Sequence, residues 1–255
     1  MSVITEDTVE YAAIEWFQSL GYGYVDGRTI APGEPNAERD SFGDVVLERR
    51  LREAIDRLNP ATPSEAREDA VRKVLRVEGH DLIAANQTFH RMFSEGVEVE
   101  YRRPDGSIAY DRVVVADFEH PEANDWLVVN QFTVIAGQHH RRPDLVVFLN
   151  GLPIAVLELK NAANENASIR NAFRQLQTYK DQIQTLFRFN QILVISDGLQ
   201  ARAGSLTANW EWFKVWRTVE GEQEAAASSL ELEVLVRVML DRQRLLTLMR
   251  NFIAF

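Results

Sequence analysis

The apolar positions in the first third of the chain recur at helical spacing. Residues 5–20 carry apolar side chains every three or four positions and stop at Gly21, which predicts an amphipathic helix. Residues 47–58 repeat this spacing and end before a proline, and residues 62–65 (TPSE) predict a capping box that opens another helix. Residues 82–93 predict a further helix. The N-terminal part is therefore expected to be mostly helical.

After Gly96 the apolar positions alternate with polar ones, which predicts strands. We expect a hairpin around Pro104-Asp105-Gly106, a strand over residues 126–135 and a second hairpin over residues 141–160. A helix capped by Ser168 follows, and then come two predicted strands, at residues 191–196 (QILVIS) and 209–216 (NWEWFKVW). The pattern indicates an α/β fold with a central sheet flanked by helices.

The composition loosens near the C-terminal end of the chain. Residues 221–229 (GEQEAAASS) have the composition of a linker, and a leucine-rich helix is predicted from residue 230 to the end. We therefore divide the chain into a domain at residues 1–220 and a linker with a C-terminal helix at residues 221–255. An apolar terminal helix of this kind is expected to lead into a longer parent protein or to dock on a partner.

Composition excludes several classes of protein. The 255 residues include no cysteine, so disulfides and thiolate metal sites are excluded and a reducing cytoplasm is expected. No segment approaches the roughly 18 consecutive apolar residues of a membrane span. The formal net charge of -10 argues against a domain that binds DNA by its overall charge, so nucleic acid must be held locally or by a partner.

The second predicted hairpin contains charged residues that its apolar pattern does not explain. The tetrapeptide Arg-Arg-Pro-Asp occurs twice, but Asp105 of the first copy precedes a glycine and is explained as a turn residue. Asp144 of the second copy opens an apolar strand and needs a partner. Glu158 and Lys160 are two residues apart on the returning strand, so they project from one face of the sheet.

The register of this hairpin decides whether Asp144 joins them. A two-residue type I′ turn at Asn150-Gly151 sets Asp144 opposite Leu157, on the face away from Glu158. A type I turn with a bulge at the glycine sets Asp144 opposite Val156, on the face of Glu158. If the charged residues form one site, the turn is predicted to be the bulged one.

Two neighbouring carboxylates with a lysine are suited to phosphodiester hydrolysis. Oxygen ligands from Asp144 and Glu158 suit Mg²⁺, and Lys160 can position a water or stabilise charge on the phosphate. The alternative is a salt-bridged strand end, in which Lys160 neutralises the carboxylates and no metal binds.

A family resemblance favours phosphodiester hydrolysis over the salt-bridged strand end. Pro143-Asp144 and Glu158-Leu159-Lys160, followed by Gln175 and Tyr179 one helical turn apart, resemble the PD-(D/E)xK nuclease motif with its QxxxY element. A wider set resembles the N-terminal nuclease region of the type I restriction enzyme R subunit, and it includes Asn130-Gln131-Phe132, Arg142-Pro143-Asp144, Asn150-Gly151-Leu152-Pro153, Asp117-Phe118 and Ser196-Asp197-Gly198.

The resemblance implies a restriction-endonuclease-like core with a central mixed sheet. It also implies that Asp144 and Glu158 bind metal, that Lys160 is catalytic, and that Gln175 and Tyr179 support DNA contact and site geometry. From the residues alone, Tyr179 can equally be an edge of the helix core stripe and Gln175 a solvated neighbour.

Glu10 of the first helix is a third candidate metal ligand, because many members of the superfamily place an acidic residue of that helix near the metal. The alternative is a local helix cap formed by Asp7 and Glu10.

Three further groups are weaker candidates. Arg142, beside Arg141, can grip a phosphate or can simply be solvated. His139 and His140 are adjacent in an extended segment, so they point to opposite faces and do not share a metal. The aromatic residues of 209–216 can stack on bases, although a half-buried strand also explains them.

The resemblance implies a Mg²⁺-dependent type I site-specific deoxyribonuclease that cuts duplex DNA after ATP-driven translocation. No G-x-x-x-x-G-K-[ST] loop is present, so the ATPase motor is expected beyond Phe255 in the parent chain, with ATP bound there. Methylation and specificity subunits are the expected partners, the cytoplasm is the expected location, and no membrane is involved. The alternatives are a stand-alone repair or resolvase-type nuclease of the same superfamily, and a non-catalytic docking module.

Overall fold

A computed structural model of the chain describes residues 6–160, 168–220, 223–226 and 229–253. The α-helices of this part are α1 (Glu6–Ser19), α2 (Glu48–Leu58), α3 (Ser64–Leu75), α4 (Leu82–Glu95), α5 (Ile169–Gln182), α6 (Gln184–Phe187), α7 (Glu231–Val234) and α8 (Arg242–Asn251). The strands are β1 (Gly23–Asp26), β2 (Val97–Arg102), β3 (Ile108–Val113), β4 (Trp126–Asn130), β5 (Val134–Ala136), β6 (His139–Arg141), β7 (Leu145–Leu149), β8 (Leu152–Leu159), β9 (Ile192–Ser196), β10 (Ala201–Gly204), β11 (Thr218–Glu220) and β12 (Gln223–Glu224).

The central element is a six-stranded mixed sheet in the order β1-β4-β7-β8-β9-β10. The pairs β1–β4 and β8–β9 are parallel, and the other neighbours are antiparallel. Every residue of β4, β7, β8 and β9 is buried, as expected when helices cover both faces of a sheet. The predicted α/β fold with a central mixed sheet and a mostly helical N-terminal part is confirmed.

Helix α5 forms the crossover between the parallel strands β8 and β9. Ser168 caps this helix as predicted, because its side chain accepts a hydrogen bond from the N–H of Asn171. The buried face of α5 packs against β8 and β9 and is formed by Ile169, Ala172, Leu176 and Tyr179. This packing holds the later turns of α5, which carry Gln175 and Tyr179, over the end of β8.

Several predicted elements are corrected by the structure. The capping box at residues 62–65 does not form, because α3 begins at Ser64 after Pro63, which has no side-chain cap. The strand predicted over residues 126–135 is interrupted at Gln131, whose φ of 54° lies in the left-handed region. The short edge strand β1 was not predicted, since four partly exposed residues carry too little periodicity.

Two predictions in the C-terminal part also differ from the structure. Residues 209–216 are not a strand: Trp210–Trp212 form a 3-10 turn, and Trp210 packs edge-on against Phe173 of α5 with centroids 5.6 Å apart. The predicted terminal helix is broken: α7 continues into a π-helical turn, Leu235–Met239, and α8 starts anew with Asp241 as its cap. Residues 221–222, 227–228 and 254–255, which belong to the predicted linker and terminal helix, lie outside the described part, and the division at residue 220 stays a prediction.

The hairpin of β7 and β8 has neither of the two predicted registers. Asn150 and Gly151 have φ values of 51° and 79°, as in a type I′ turn, and Leu149 pairs with Leu152. The predicted bulge at Gly151 is therefore wrong. The bulge lies further along β8, because Phe148 pairs with Pro153 while Val147 pairs with Ala155.

The extra residue of this bulge is Ile154. Proline has no N–H to donate to a ladder and is found at bulges or edges of sheets, which explains an irregularity beside Pro153. The carbonyl of Ile154 accepts a hydrogen bond from the N–H of Gln191 over 2.7 Å, at the start of the segment leading into β9. The register beyond the bulge pairs Leu145 with Leu157, so Asp144 lies opposite Glu158.

Candidate active site

Asp144 lies at the entrance of β7 and is half-buried. Its Oδ2 accepts a hydrogen bond of 2.6 Å from the backbone N–H of Leu159, the residue between Glu158 and Lys160. Its backbone carbonyl accepts from the N–H of Gln131 over 3.3 Å. The aspartate is thus tied to the ends of β4 and β8 at the same time.

Glu158 and Lys160 form a close pair at the end of β8. Glu158 is fully buried, and its Oε1 lies 2.6 Å from Nζ of Lys160, which also donates to the carbonyl of Leu159 over 3.2 Å. The Lys160 side chain is 15% exposed, so it is largely enclosed by the described residues. The structure therefore brings Asp144, Glu158 and Lys160 together, as the motif requires.

Gln175 and Tyr179 of α5 cover this group. Nε2 of Gln175 lies 2.6 Å from the hydroxyl of Tyr179, and the tyrosine is buried. Burial raises the pKa of the Tyr179 phenol, and the negative charges of Glu158 and Asp144 raise it further. The pair therefore presents an uncharged hydroxyl beside the two carboxylates.

Glu10 reaches the same end of the sheet from α1. Its Oε1 accepts a hydrogen bond of 2.7 Å from Asn130, and its Oε2 accepts one of 3.1 Å from Gln131. Glu10 is buried and lies near the start of α1, which begins at Glu6. Its carboxylate contacts Asn130 and Gln131, which are distant in sequence. The cap predicted between Asp7 and Glu10 rests on the Asp7 side chain, which lies outside the described residues.

The other candidate residues lie outside this group. Arg142 is exposed, and the pKa of the nearby Asp26 carboxyl is lowered mainly by its hydrogen bond with Arg28 and to a small extent by the charge of Arg142. His139 and His140 occupy successive exposed positions of β6. Asp105 acts as a turn residue, because its Oδ1 accepts from the N–H and the hydroxyl of Ser107.

The donor set of this site suits a hard cation. Within the described ranges, no three His, Asp or Glu side chains are gathered at metal-binding separation. Mg²⁺ in proteins is commonly bound by one or two carboxylates and keeps several waters, so two carboxylates on one face satisfy its requirement. The chemistry of this donor set fits Mg²⁺, and Asp144 and Glu158 are the residues that would hold it.

The sequence reasoning missed Gln131 and Arg174. Gln131 holds Glu10 and Asp144 through its side chain and its backbone, but only its membership in Asn130-Gln131-Phe132 distinguished it in sequence. Arg174 precedes Gln175 on α5 and lines a groove beside Tyr179. The QxxxY spacing identified the neighbouring residue Gln175. The same signal could have identified Arg174, because it lies on the same turn of α5.

Comparison with known proteins supports the resemblance. The sequence model of the family described as "Type I restriction enzyme R protein N terminus" matches residues 4–212. The chain is 36% identical over 256 residues to the type I restriction enzyme HindI endonuclease subunit of Haemophilus influenzae, covering 99% of this chain and 24% of that protein. It is 33% identical over 270 residues to the putative type I restriction enzyme MjaIXP endonuclease subunit of Methanocaldococcus jannaschii, covering 98% and 26%.

A shorter match links it to the type I restriction enzyme EcoprrI endonuclease subunit of Escherichia coli, which is 33% identical over 102 residues, 38% of this chain and 31% of that protein. The chain thus spans about a quarter of the length of the two longer-matching curated relatives. In the part of the chain that the structure describes, no helix has the length and apolar character needed to cross a membrane. On the extent of the family match, this chain belongs to the family of type I restriction enzyme R protein N termini.

Proposed function

We propose that this chain is the metal-dependent endonuclease domain of a type I restriction enzyme R subunit, and that it hydrolyses phosphodiester bonds of duplex DNA. One observation carries the proposal. An otherwise apolar hairpin contains a bulge at Ile154 that sets Asp144 opposite Glu158, with Lys160 bonded to Glu158 beside them. Burying this charge in an apolar hairpin costs free energy, and a catalytic requirement explains why it is retained.

Each residue of the site has a distinct role in the proposed reaction. Mg²⁺ held by Asp144 and Glu158 would supply Lewis-acid stabilisation of the charge that develops on the phosphate and on the leaving 3′ oxygen. Lys160, whose side chain is partly exposed, orients the attacking water or stabilises the charge that develops on the phosphate. Gln175 orients the Tyr179 hydroxyl, which stays protonated and can donate to the DNA.

Glu10 and Arg142 are assigned supporting roles. Glu10 lies beside Asn130 and Gln131 and would contribute to the metal site as a third carboxylate, directly or through a bound water. Arg142 is exposed next to Pro143-Asp144 and would contact a phosphate near the bond to be cut.

The rest of the proposed activity lies outside this chain. The relatives are about four times as long, which leaves room for an ATPase motor in the parent chain that uses ATP to translocate DNA. Methylation and specificity subunits would supply site recognition, in the cytoplasm. The net charge of -10 favours such an assembly over a stand-alone nuclease, which must hold DNA by itself.

A titration with Mg²⁺ tests the metal site on this chain. We expect calorimetry to detect binding to the wild type and none to Asp144→Asn, because the amide lacks the charge that binds the cation. Asp105→Asn is a matched control, since Asp105 belongs to the other Arg-Arg-Pro-Asp copy and lies in an exposed turn. Unchanged Mg²⁺ binding by Asp144→Asn would contradict the assignment of Asp144 as a ligand.

Cleavage is tested in the complete R subunit assembled with its partner subunits. Asp144→Asn is expected to abolish plasmid cleavage and to leave ATP hydrolysis intact, because the proposed motor is a separate part of the protein. Cleavage that persists with Asp144→Asn would establish the non-catalytic alternative, in which the charged hairpin end is a salt bridge and this domain is a docking module.

A further inference from the structure

The positive charges of this acidic protein are unevenly distributed between paired and unpaired positions. Many arginines contact carboxylates: Arg50, for example, lies 2.5 Å from Glu38 and 2.9 Å from Asp125. Among the cations that form no ion pair with a described carboxylate, one set lies together around a groove and the tryptophans beside the candidate active site. This set consists of Arg141, Arg142, Arg170, Arg174, Arg202 and Lys214.

The first part of this set lines a groove beside the candidate active site. The groove has a volume of about 440 Å³ and lies between the β6 segment and α5. Its described lining includes Arg141, Arg142 and Arg174, together with Gln175 and Tyr179, and contains no carboxylate. Arg142 is two residues before Asp144, so the groove opens beside the candidate active site.

Arg141 is held in a defined orientation in this groove. Its Nε donates a hydrogen bond of 2.6 Å to Oε1 of Gln182, and its Nη1 donates to the carbonyl of His140 over 3.3 Å. Neither acceptor is charged, so the guanidinium keeps its full positive charge. A side chain that is already held loses less conformational entropy when it binds a ligand.

The set continues along α5 and onto the neighbouring aromatic residues. Arg170 lies one helical turn before Arg174, and both are exposed, so they occupy one strip of the helix surface. The guanidinium of Arg170 lies 4.4 Å from the ring centroid of Trp210, and that of Arg202 lies 4.8 Å from it. Lys214 lies 5.4 Å from the centroid of Trp212.

Stacking on tryptophan leaves these cations available for a ligand. A guanidinium that packs its flat face on a ring retains donors at its edge, which match the oxygens of a phosphate. The rings therefore hold the positive charges in place without neutralising them. A line of un-neutralised cations that leads away from a phosphodiester-cleaving site suits a polyanion better than a single small anion.

We propose that Arg141, Arg142, Arg174, Arg170, Arg202 and Lys214 form a cationic track that binds the phosphate backbone of duplex DNA beside the bond to be cut. This inference rests on the proposed function for the identity of the ligand. The track carries only charge and fixed donors, so it positions DNA without reading its sequence. It lets a protein of net negative charge hold DNA locally.

The salt dependence of DNA binding tests the cationic track directly. The chain is titrated into a short fluorescein-labelled duplex in EDTA at a series of salt concentrations, and the slope of log K against log salt is measured. Because each lost phosphate contact reduces this slope by about one, Arg174→Ala and Arg141→Ala are each expected to do so. Arg174→Lys retains the charge and is expected to retain the slope.

Arg76→Ala is the matched control, since Arg76 is an exposed arginine at the end of α3 that forms no ion pair with a described carboxylate. A slope that is unchanged in Arg174→Ala and Arg141→Ala, or reduced equally in Arg76→Ala, would overturn the cationic track. Absence of binding at low salt would overturn it as well.

The two proposals fail in different ways. If Asp144→Asn abolishes cleavage while the track variants keep the wild-type slope, the nuclease stands and the track is wrong. If the track variants lose slope while Asp144→Asn still cleaves, the track is a DNA-binding surface of a domain that does not cut.

Discussion

The N–H of Leu159 donates to Oδ2 of Asp144 over 2.6 Å, so the first carboxylate of the motif is bound to the backbone between the other two motif residues. This hydrogen bond joins the entrance of β7 to the end of β8. It makes the position of the aspartate depend on the register of the hairpin, and through it on the bulge at Ile154.

Removing the ammonium beside Glu158 is expected to destabilise the fold. Lys160→Met leaves a fully buried carboxylate without its 2.6 Å partner, and breaking such a pair costs about 3 kcal/mol. Urea denaturation measures the free energy of unfolding. The double variant Glu158→Gln/Lys160→Met is expected to be less destabilised than the sum of the two single variants, because the two residues are coupled.

The same lysine variant separates metal binding from catalysis. Without the competing ammonium, we expect Lys160→Met to bind Mg²⁺ at least as tightly as the wild type, and the assembled enzyme to lose cleavage. A loss of Mg²⁺ binding in a folded Lys160→Met protein would show that the lysine shapes the site instead of acting in the reaction.

Glu10→Gln is expected to weaken Mg²⁺ binding about tenfold, the effect of a residue that supports a metal site without dominating it. The two carboxylate oxygens of Glu10 accept hydrogen bonds from the side-chain amides of Asn130 and Gln131. A glutamine at position 10 replaces one of these oxygens by an NH2 group, so two donors would then face each other. Calorimetry on Glu10→Gln and Asp144→Asn side by side gives the ranking. Equal losses in the two variants would place Glu10 among the direct ligands.

Tyr179→Phe is expected to lower cleavage about tenfold, the equivalent of one hydrogen bond of roughly 1.4 kcal/mol. The raised pKa keeps the phenol protonated at neutral pH, so the shape of the pH–rate profile is expected to stay the same. A profile whose alkaline limb disappears in Tyr179→Phe would instead assign the phenol a proton-transfer role.

Stability at high pH provides an independent check on this tyrosine. Its pKa is raised in the folded state above the ordinary 10.0, so the folded chain retains a proton that the unfolded chain loses. The resulting contribution to stability is complete below pH 10 and is lost as the pH rises toward the folded-state pKa. Denaturation of wild type and Tyr179→Phe across this range is expected to show a smaller decline in the variant.

Gly151→Ala is expected to cost more stability than Gly106→Ala, although both glycines have positive φ values of similar size, 79° and 86°. A left-handed conformation costs an alanine about 1–2 kcal/mol in either turn. At Gly151 the added Cβ would also lie 2.4 Å from the carbonyl oxygen of Leu47, whereas at Gly106 it meets no atom within 4 Å. Equal midpoints in urea for the two variants would contradict a tight contact at Gly151.

Much of the fold was predictable because its signals are local. The cap at Ser168, the helix 82–93 and the buried strand at 192–196 follow from residues adjacent in sequence. The proximity of Asp144, Glu158 and Lys160 was predictable from their spacing and from the resemblance to the nuclease motif.

The errors arose where distant residues decide the conformation. The bulge at Ile154 is supported by Gln191, which is 37 positions away along the chain, and although Pro153 is compatible with an irregularity there, the alternation of the hairpin does not indicate its position. The Trp-rich segment 209–216 packs Trp210 against Phe173 of α5. This tertiary packing outweighs the strand propensity of the segment. Glu10 likewise finds its partners at Asn130 and Gln131, beyond the reach of any local pattern.

The bulge at Ile154 gives the pairing of β7 with β8 a functional meaning. The same hairpin with the same turn but with regular pairing along its whole length would set Asp144 opposite Leu157 and direct Glu158 and Lys160 to the opposite side of the sheet. The carboxylates would then be separated by the sheet itself, and no single ion could bridge them. Within this architecture, pairing the strands without the bulge would therefore be as damaging to the site as substitution of a charged residue.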